Sequence, residues 1–219
     1  MSSGDARPLL AVLDYGIGNL RSAQKALQKV GADAHLTADP DLIAAADGLV
    51  LPGVGAFGRC MESLAEAGLD GIAHEAATAA AAGEGRPFLG VCVGMQMLFD
   101  GSDETPDVPG LGVVGGRIRL LPEGVKRPQM QWNVLDRSRP SPMFADLPEE
   151  AWVYFVHSYW AEVVDPTDVV ATCDYGAPVT AAVERGALWA TQFHPEKSAA
   201  NGLRLLGSFV DRCRTAVPA

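Results

Sequence analysis

The fold of this chain is decided by one segment, residues 87–96, which reads PFLGVCVGMQ. Its apolar first half predicts a buried strand, and its second half predicts a helix from Met95 to Phe99. Between them, the pattern Gly-x-Cys-x-Gly makes Cys92 the cysteine form of a nucleophile elbow. Such a turn presents its side chain above the amino end of a helix, where negative charge is favoured. A buried structural cysteine is the alternative interpretation.

Short apolar strands alternate with helices on the amino-terminal side of this segment. The alternation predicts an α/β fold with a mostly parallel central sheet that helices cover on both faces. Functional groups of such a sheet gather beyond the carboxyl ends of its strands. The predicted strands are 9–13, 34–37 and 48–51, and the predicted helices are 20–30, a short one opening at Asp39-Pro40, 59–67 and 71–82.

The pattern changes after Gly101. Residues 101–150 are rich in glycine and proline, and the segments that follow predict additional antiparallel strands in the carboxyl-terminal half. No internal repeat or long linker interrupts the chain, so residues 1–219 are predicted to form a single domain. The predicted strands of this half are 113–120, 152–164, 169–174 and 188–193, and a helix closes the chain at 201–213.

Composition narrows the range of functions. The chain has 219 residues and a net charge of −10, and it has no basic cluster, which argues against a nucleic-acid partner. Its four cysteines are widely spaced without a C-x-x-C pair, so neither a disulfide framework nor a zinc site is predicted. The segment Met1–Arg7 is polar, and the apolar run 9–13 is too short for a signal peptide or membrane span. We therefore expect a cytoplasmic protein.

A second candidate group, HPEKS at residues 194–198, follows the predicted strand 188–193. Cys92 and His194 each follow an apolar strand, which places both at one end of a parallel sheet. A thiol nucleophile needs a base beside it and an acid that orients this base, and Glu196 lies two residues after His194. These residues predict a Cys-His-Glu triad, although 194–198 alone would also fit a solvated turn. The other histidines lack such a context and are predicted to be structural or surface residues: His35, His74 and His157.

The elbow GVCVGMQ with a distant HPE resembles the class I (triad-type) glutamine amidotransferases. Within this class the chain is similar to the glutaminase subunits of imidazole glycerol phosphate synthase, an enzyme of histidine biosynthesis. The resemblance covers residues 9–211, with one departure: PQMQWN at 128–133, where the family often has PHMGWN. Four segments carry the closer resemblance: DYGIGN (14–19), LPGVGAF (51–57), YFVHSY (154–159) and HPEKS (194–198).

Two alternatives remain at this point. Another amidotransferase of the class, such as one for anthranilate, carbamoyl phosphate or GMP, is disfavoured by Lys197-Ser198 and by the run 154–159. A non-catalytic relative that serves only as a binding subunit is disfavoured by the intact Cys92, His194 and Glu196.

The resemblance implies a flavodoxin-like class I amidotransferase fold and hydrolysis of L-glutamine to glutamate and ammonia, without a metal or organic cofactor. It also implies a heterodimer with a (βα)₈-barrel cyclase subunit. This partner would receive the ammonia through a tunnel and make imidazole glycerol phosphate and an aminoimidazole carboxamide ribonucleotide. No membrane is implied.

The same resemblance assigns roles to individual residues. Cys92 is the nucleophile, His194 the acid–base and Glu196 the orienting carboxylate. The positions that match glutamine recognition are Gln96, Glu104, Ser158 and Tyr159, and the charge of Glu104 suits the substrate ammonium. The chemistry itself requires backbone donors for an oxyanion. We expect them from Val93, the residue after the nucleophile, and from the loop at Gly53 and Val54.

Overall fold

The computed structural model describes residues 7–215, and of the polar segment Met1–Arg7 only Arg7 lies within this range. Strands and helices alternate regularly as far as the elbow, after which strands predominate. The strands are β1 (Leu9–Leu13), β2 (Asp33–Thr37), β3 (Gly48–Gly53), β4 (Phe88–Cys92), β5 (Gly101–Ser102), β6 (Thr105–Pro109), β7 (Gly116–Leu120), β8 (Gln129–Val134), β9 (Asp136–Arg137), β10 (Trp152–His157), β11 (Tyr159–Val163), β12 (Val169–Asp174), β13 (Pro178–Arg185) and β14 (Leu188–Thr191). The helices are α1 (Leu20–Lys29), α2 (Pro40–Ala45), α3 (Phe57–Glu66), α4 (Asp70–Ala82), α5 (Val93–Gln96) and α6 (Ala199–Thr215).

An eight-stranded sheet in the order β2-β1-β3-β4-β14-β13-β12-β9 forms the centre. Its first five strands are parallel. Every residue of β3, β4 and β14 is buried, as expected where helices cover both faces. Helix α1 contacts α6, and α3 contacts α4. The predicted α/β fold with a mostly parallel sheet is therefore confirmed, and its parallel part has the flavodoxin-like strand order.

The remaining strands are mostly antiparallel, as predicted for the carboxyl-terminal half. Strands β13, β12 and β9 extend the central sheet in antiparallel fashion. Strands β8 and β10 form a separate antiparallel pair, and β11-β7-β5-β6 form a four-stranded sheet. The predicted strand 152–164 is thus two strands in two different sheets, separated at Ser158. This break brings Ser158 to the edge of the site described below.

Three sequence predictions need correction. The helix expected from Met95 to Phe99 is α5, and it begins at Val93 directly after Cys92 and ends at Gln96. Strand β13 was not predicted, because its proline start and its run of small residues give no alternating pattern. Strands β5, β6, β8 and β9 were not predicted either, because they lie in the stretch 101–150, which glycine and proline mark as loop. None of the helices within residues 7–215 is long and apolar enough to cross a membrane.

Candidate active site

Cys92 ends β4 and directly precedes α5, at the sharp turn that the elbow motif predicts. Its backbone has φ 56° and ψ −112°, in the left-handed region that residues other than glycine rarely adopt. Such a conformation costs about 1–3 kcal/mol and persists only where the surroundings impose it. The Cys92 residue is 4% exposed, so its thiol is reached only through the cavity described below.

Glycines allow the elbow to pack directly on β3. A Cβ atom at Gly94 would lie 1.8 Å from the carbonyl oxygen of Leu51, and one at Gly53 would lie 2.7 Å from the Gly94 nitrogen. Gly53 is also the register partner of Cys92 across β3 and β4. The close approach of two backbones therefore requires glycine at both positions and fixes the elbow against its neighbouring strand.

His194 and Glu196 lie just beyond β14, the strand next to β4. The imidazole Nδ1 of His194 is 2.8 Å from Glu196 Oε1, and the two side chains are only 2% and 5% exposed. With Nδ1 held by the carboxylate, the other ring nitrogen is left for Cys92, which lines the same cavity. The structure thus brings together the three residues predicted to form a triad.

The charge state of His194 follows from its two partners. Burial by itself lowers the pKa of the imidazole, but hydrogen bonds to Cys92 and Glu196 and their negative charges outweigh it and raise the pKa to about 9. His194 is therefore an imidazolium at neutral pH. A histidine in this state can give its proton to a leaving group.

A cavity of about 500 Å³ opens over Cys92. It contains all four residues predicted to bind glutamine. Val54, Gly55 and Val93 line it as well, whereas Gly53 lies beneath them at the end of β3. The lining residues are Gly18, Asn19, Val54, Gly55, Cys92, Val93, Gln96, Glu104, Val156, His157, Ser158, Tyr159, His194 and Lys197.

Two of the predicted glutamine-binding residues also make internal hydrogen bonds. Glu104 Oε2 accepts from the Phe57 N–H at 2.7 Å, which links this carboxylate to the start of α3. The buried Gln96 side chain donates from Nε2 to the Tyr159 carbonyl at 3.1 Å and to Gln192 Oε1 at 2.9 Å. Its amide nitrogen is therefore fully used, and only its amide oxygen remains for a ligand.

Sequence reasoning missed several residues that support the site. Gln192 is fully buried, and its Nε2 lies 3.8 Å from Cys92 Sγ. The Tyr15 hydroxyl donates to the Pro52 carbonyl at 2.6 Å, and the Cys60 thiol lies 3.3 Å from the Val54 carbonyl oxygen. Both of these contacts hold the loop at Gly53 and Val54. Burial raises the pKa of the Tyr15 hydroxyl and of the Cys60 thiol, so both groups stay protonated. The sequence signals were the position of Tyr15 within DYGIGN, two residues after β1, and that of Gln192 directly after β14.

The remaining histidines differ in their surroundings. His35 is exposed beside Asp33 at 2.8 Å, and His74 Nδ1 lies 2.9 Å from the Leu111 carbonyl oxygen, as expected for surface and structural residues. His157, in contrast, is buried and lines the cavity.

Residues 11–212 match the protein family described as Glutamine amidotransferase class-I. Two similar proteins bear the name "Imidazole glycerol phosphate synthase subunit HisH". The one from Methylococcus capsulatus is 49% identical over 212 residues, which cover 92% of this chain and 95% of the relative. The one from Symbiobacterium thermophilum is 47% identical over 200 residues, which cover 91% and 92%.

Solved structures of lower sequence identity share the fold. A putative GMP synthase component from Thermoplasma acidophilum superposes with a TM-score of 0.72 at 19% identity, covering 97% of this chain and 96% of that chain. PurLQS from Thermotoga maritima superposes with a TM-score of 0.73 at 21% identity, covering 94% and 99%. At such identities the likeness concerns the fold alone.

Proposed function

The chain belongs to the class I glutamine amidotransferases, and from this premise we propose that it is the glutaminase subunit of an imidazole glycerol phosphate synthase. It hydrolyses glutamine to glutamate and ammonia with a cysteine nucleophile, in the service of histidine biosynthesis. The observation that carries the proposal is the contiguous Cys92, His194 and Glu196 at the ends of the neighbouring strands β4 and β14.

The first half of the reaction uses the imidazolium of His194. His194 holds the proton of the Cys92 thiol, and the Cys92 sulfur attacks the side-chain amide carbon of glutamine. A C–S bond forms, and the carbonyl π pair moves to oxygen. When this tetrahedral intermediate collapses, the C–N bond breaks and His194 protonates the departing nitrogen, which leaves as ammonia. Glu196 stabilises the imidazolium and holds its ring orientation.

The second half regenerates the site. Neutral His194 takes a proton from water, the resulting hydroxide attacks the γ-glutamyl thioester, and the C–S bond breaks. Glutamate leaves, and Cys92 and His194 return to their starting states. Both tetrahedral intermediates carry an oxyanion, for which the Val93 N–H and an N–H of the loop at Gly53 and Val54 are the donors. Removal of one such donor typically costs about 10²–10³ in rate.

Glutamine recognition falls to polar side chains that line the cavity. Glu104 offers a carboxylate to the substrate ammonium, and its bond to the Phe57 N–H fixes its position. Ser158, Tyr159 and Gln96 line the same cavity. A cavity lined by the acid Glu104, the base Lys197 and several neutral polar groups suits a zwitterionic amino acid.

The partner is a (βα)₈-barrel cyclase, which docks on an apolar strip of the β8–β10 pair. Met130 is 62% exposed and Trp132 43%, and Trp152 on β10 is 46% exposed. Register pairs Trp132 with Tyr154 and Met130 with Val156, so these side chains share one face, and Val156 lines the cavity. Large exposed apolar side chains in a row mark protein interfaces, and this row leads to the site where ammonia is released.

The experiment compares two nitrogen sources. We expect the complex of Cys92→Ala with the barrel cyclase to lose glutamine-dependent synthesis by a factor on the order of 10⁴ or more, because the nucleophile is gone. Synthesis from added ammonium salt should stay at the native level, since cyclisation occurs on the partner. Glutamate release and product formation are measured in parallel. Loss of both activities in a complex that still assembles would refute this division of labour.

A further inference from the structure

A buried polar chain starts at His157, which lines the cavity, and plays no part in the mechanism above. It links Gln129 on β8, His157 on β10 and Cys173 on β12, whose exposures are 0%, 6% and 0%. Gln129 Oε1 is placed 2.9 Å from His157 Nε2, and Gln129 Nε2 is placed 3.7 Å from Cys173 Sγ. The other ring nitrogen of His157, Nδ1, lies 2.8 Å from the Tyr159 carbonyl oxygen.

The surroundings of His157 determine its protonation. Burial lowers the pKa of the ring to about 4, the Tyr159 carbonyl works in the opposite direction, and the nearby His194 lowers the pKa further. His157 is therefore neutral at physiological pH. A neutral imidazole has one donor and one acceptor nitrogen, and a carbonyl oxygen only accepts. The ring proton must consequently be on Nδ1, where it is donated to Tyr159.

This tautomer determines the orientation of Gln129. His157 Nε2 carries no proton, so it must accept, and the group within hydrogen-bonding distance is the Gln129 amide. The two ends of a glutamine amide are assigned from its hydrogen bonds, so we exchange the placed Oε1 and Nε2: the –NH₂ group then faces His157, and the oxygen faces Cys173. Burial raises the pKa of the Cys173 thiol to about 11, so the thiol keeps its proton and can donate it to this oxygen. Every polar group of the chain then has a matching partner.

The same chain continues to the nucleophile. The Tyr159 carbonyl accepts from His157 and also from Gln96 Nε2, at 2.8 and 3.1 Å. Gln96 in turn binds Gln192, whose Nε2 lies 3.8 Å from Cys92 Sγ. A change at Gln129 is therefore transmitted first to the Tyr159 carbonyl and to the cavity wall formed with Ser158, and only then to the thiol.

We propose that Gln129 is a positioning residue for glutamine binding, which holds the buried His157 ring and, through it, the Tyr159 carbonyl and the adjoining lining of the cavity. The proposal rests on the glutaminase function stated above. Gln129 touches neither the cavity nor the reacting atoms, so its action is indirect. Its expected effect is on the KM for glutamine rather than on kcat.

A first measurement requires no activity. ¹⁵N-histidine labelling of the full chain distinguishes the two neutral tautomers and the cation by NMR, and a His157→Gln sample assigns the signal. We expect a neutral Nδ1–H ring in the native chain between pH 6 and 9. In Gln129→Glu, a carboxylate beside Nε2 favours a proton there, and we expect a cationic ring at pH 7. A native Nε2–H tautomer or a native cation at pH 7 would overturn the proposal.

The second measurement is glutaminase kinetics in complex with the barrel cyclase. For Gln129→Glu we expect the KM for glutamine to rise about tenfold, with kcat changed less than about threefold, since the neutral hydrogen bond that holds His157 is replaced by an ion pair outside the reacting centre. Gln129→Met removes the donor without adding charge and should raise KM in the same direction. Gln28→Glu is the matched control, because exposed Gln28 makes one hydrogen bond, to the Ala34 carbonyl on β2, and does not line the cavity.

The outcomes separate this proposal from the function on which it rests. A native complex without glutamate release would contradict the glutaminase function. A native complex that is active, together with unchanged KM in both folded Gln129 variants, would contradict only the role of Gln129. A fall in kcat at constant KM would also contradict it, because the residue would then act on the chemical step.

Discussion

The parallel and antiparallel parts of this molecule contribute different kinds of residues to the candidate site and its surroundings. The parallel strands β3, β4 and β14 are buried throughout, and their carboxyl ends hold Cys92 and the turn with His194. The β8–β10 pair lies outside the central sheet; β10 alternates between buried and more exposed residues, whereas β8 is buried only at Gln129. The pair contributes the apolar strip, and the Ser158-Tyr159 wall follows β10 directly. The groups that we propose to make and break bonds thus lie in the buried part, and those that we propose for recognition lie beside the exposed strip.

This difference leads to a rule for substitutions. A change in the parallel part should disturb the geometry of the elbow and lower kcat together with stability. A change in the antiparallel part should alter affinity for glutamine or for the partner and leave the chemistry largely intact. The following predictions test this rule in order of decreasing effect.

The largest effect is expected at Gly94. A Cβ atom there would lie 1.8 Å from the Leu51 carbonyl oxygen, so Gly94→Ala must displace either the elbow or β3. Overpacking of this kind costs about 1–3 kcal/mol, and a displacement of about 1 Å in a catalytic group can cost about 10²-fold in rate. We expect kcat to fall by about 10²–10³ and Tm by about 3–12 °C. Thermal unfolding and glutamate release measure the two effects.

The matched control is Gly207→Ala in α6, where an added Cβ meets nothing within 4 Å. Alanine is the better helix former by about 0.5–1 kcal/mol, so Tm should rise slightly and kcat should not change. A Gly94→Ala chain as active as this control would show that the elbow tolerates movement, contrary to the rule.

The contrast between the two parts also explains what the sequence could predict. Strands that are buried on both faces appear as short apolar runs, and the elbow and HPE motifs stand at the ends of two of them. This is why the parallel sheet and the triad could be predicted. The residues that support the site from distant parts of the chain had no comparable signal. Gln192, Tyr15 and Cys60 act through side-chain contacts that form only when the chain folds.

The antiparallel part was harder to predict for a physical reason. A half-exposed strand depends on alternation, and in β8 the exposed positions include Met130 and Trp132, which obscure it. Strand β13 is buried at every residue but its ends, and its small side chains carry little apolar signal. In β8, the exposed residues Met130 and Trp132 that obscure the strand pattern are those that we assign to the partner surface.

The next effect is expected at that surface. Trp132 is 43% exposed and packs edge-on against Tyr154, with ring centroids 6.0 Å apart. An interfacial tryptophan typically contributes about 2 kcal/mol, so Trp132→Ala should weaken the binding of the cyclase about 30-fold. At saturating partner, glutamate release should stay within about threefold of the native rate. Titration calorimetry gives the affinity.

Val164→Ala is the control, because Val164 is 76% exposed but follows β11, away from the strip. Its affinity for the partner should equal that of the native chain. If both variants bind like the native chain, the cyclase docks elsewhere and the strip has another role.

The smallest effect is expected at Glu104, a predicted glutamine-binding residue whose side chain contacts the start of α3. Its carboxylate accepts from the Phe57 N–H at 2.7 Å and lines the cavity. Glu104→Gln keeps the shape and an acceptor oxygen for Phe57 but removes the charge that attracts the substrate ammonium. A hydrogen bond to a charged group contributes about 1.5–3 kcal/mol, and the amide side chain of the variant retains much of this energy. The KM for the substrate glutamine should therefore rise about tenfold.

The neighbouring acid provides the control for Glu104. Asp103 pairs with Arg117 and Arg119 on the surface, and these guanidinium groups lower the pKa of its carboxyl. Asp103→Asn therefore removes the same charge one residue away without touching the cavity, and its KM should be native. The rate at which small reagents alkylate Cys92 should be native in both variants, because neither acid contacts the thiol. A Glu104→Gln chain with native KM and reduced kcat would place this carboxylate with the reacting groups and break the division between chemistry and recognition.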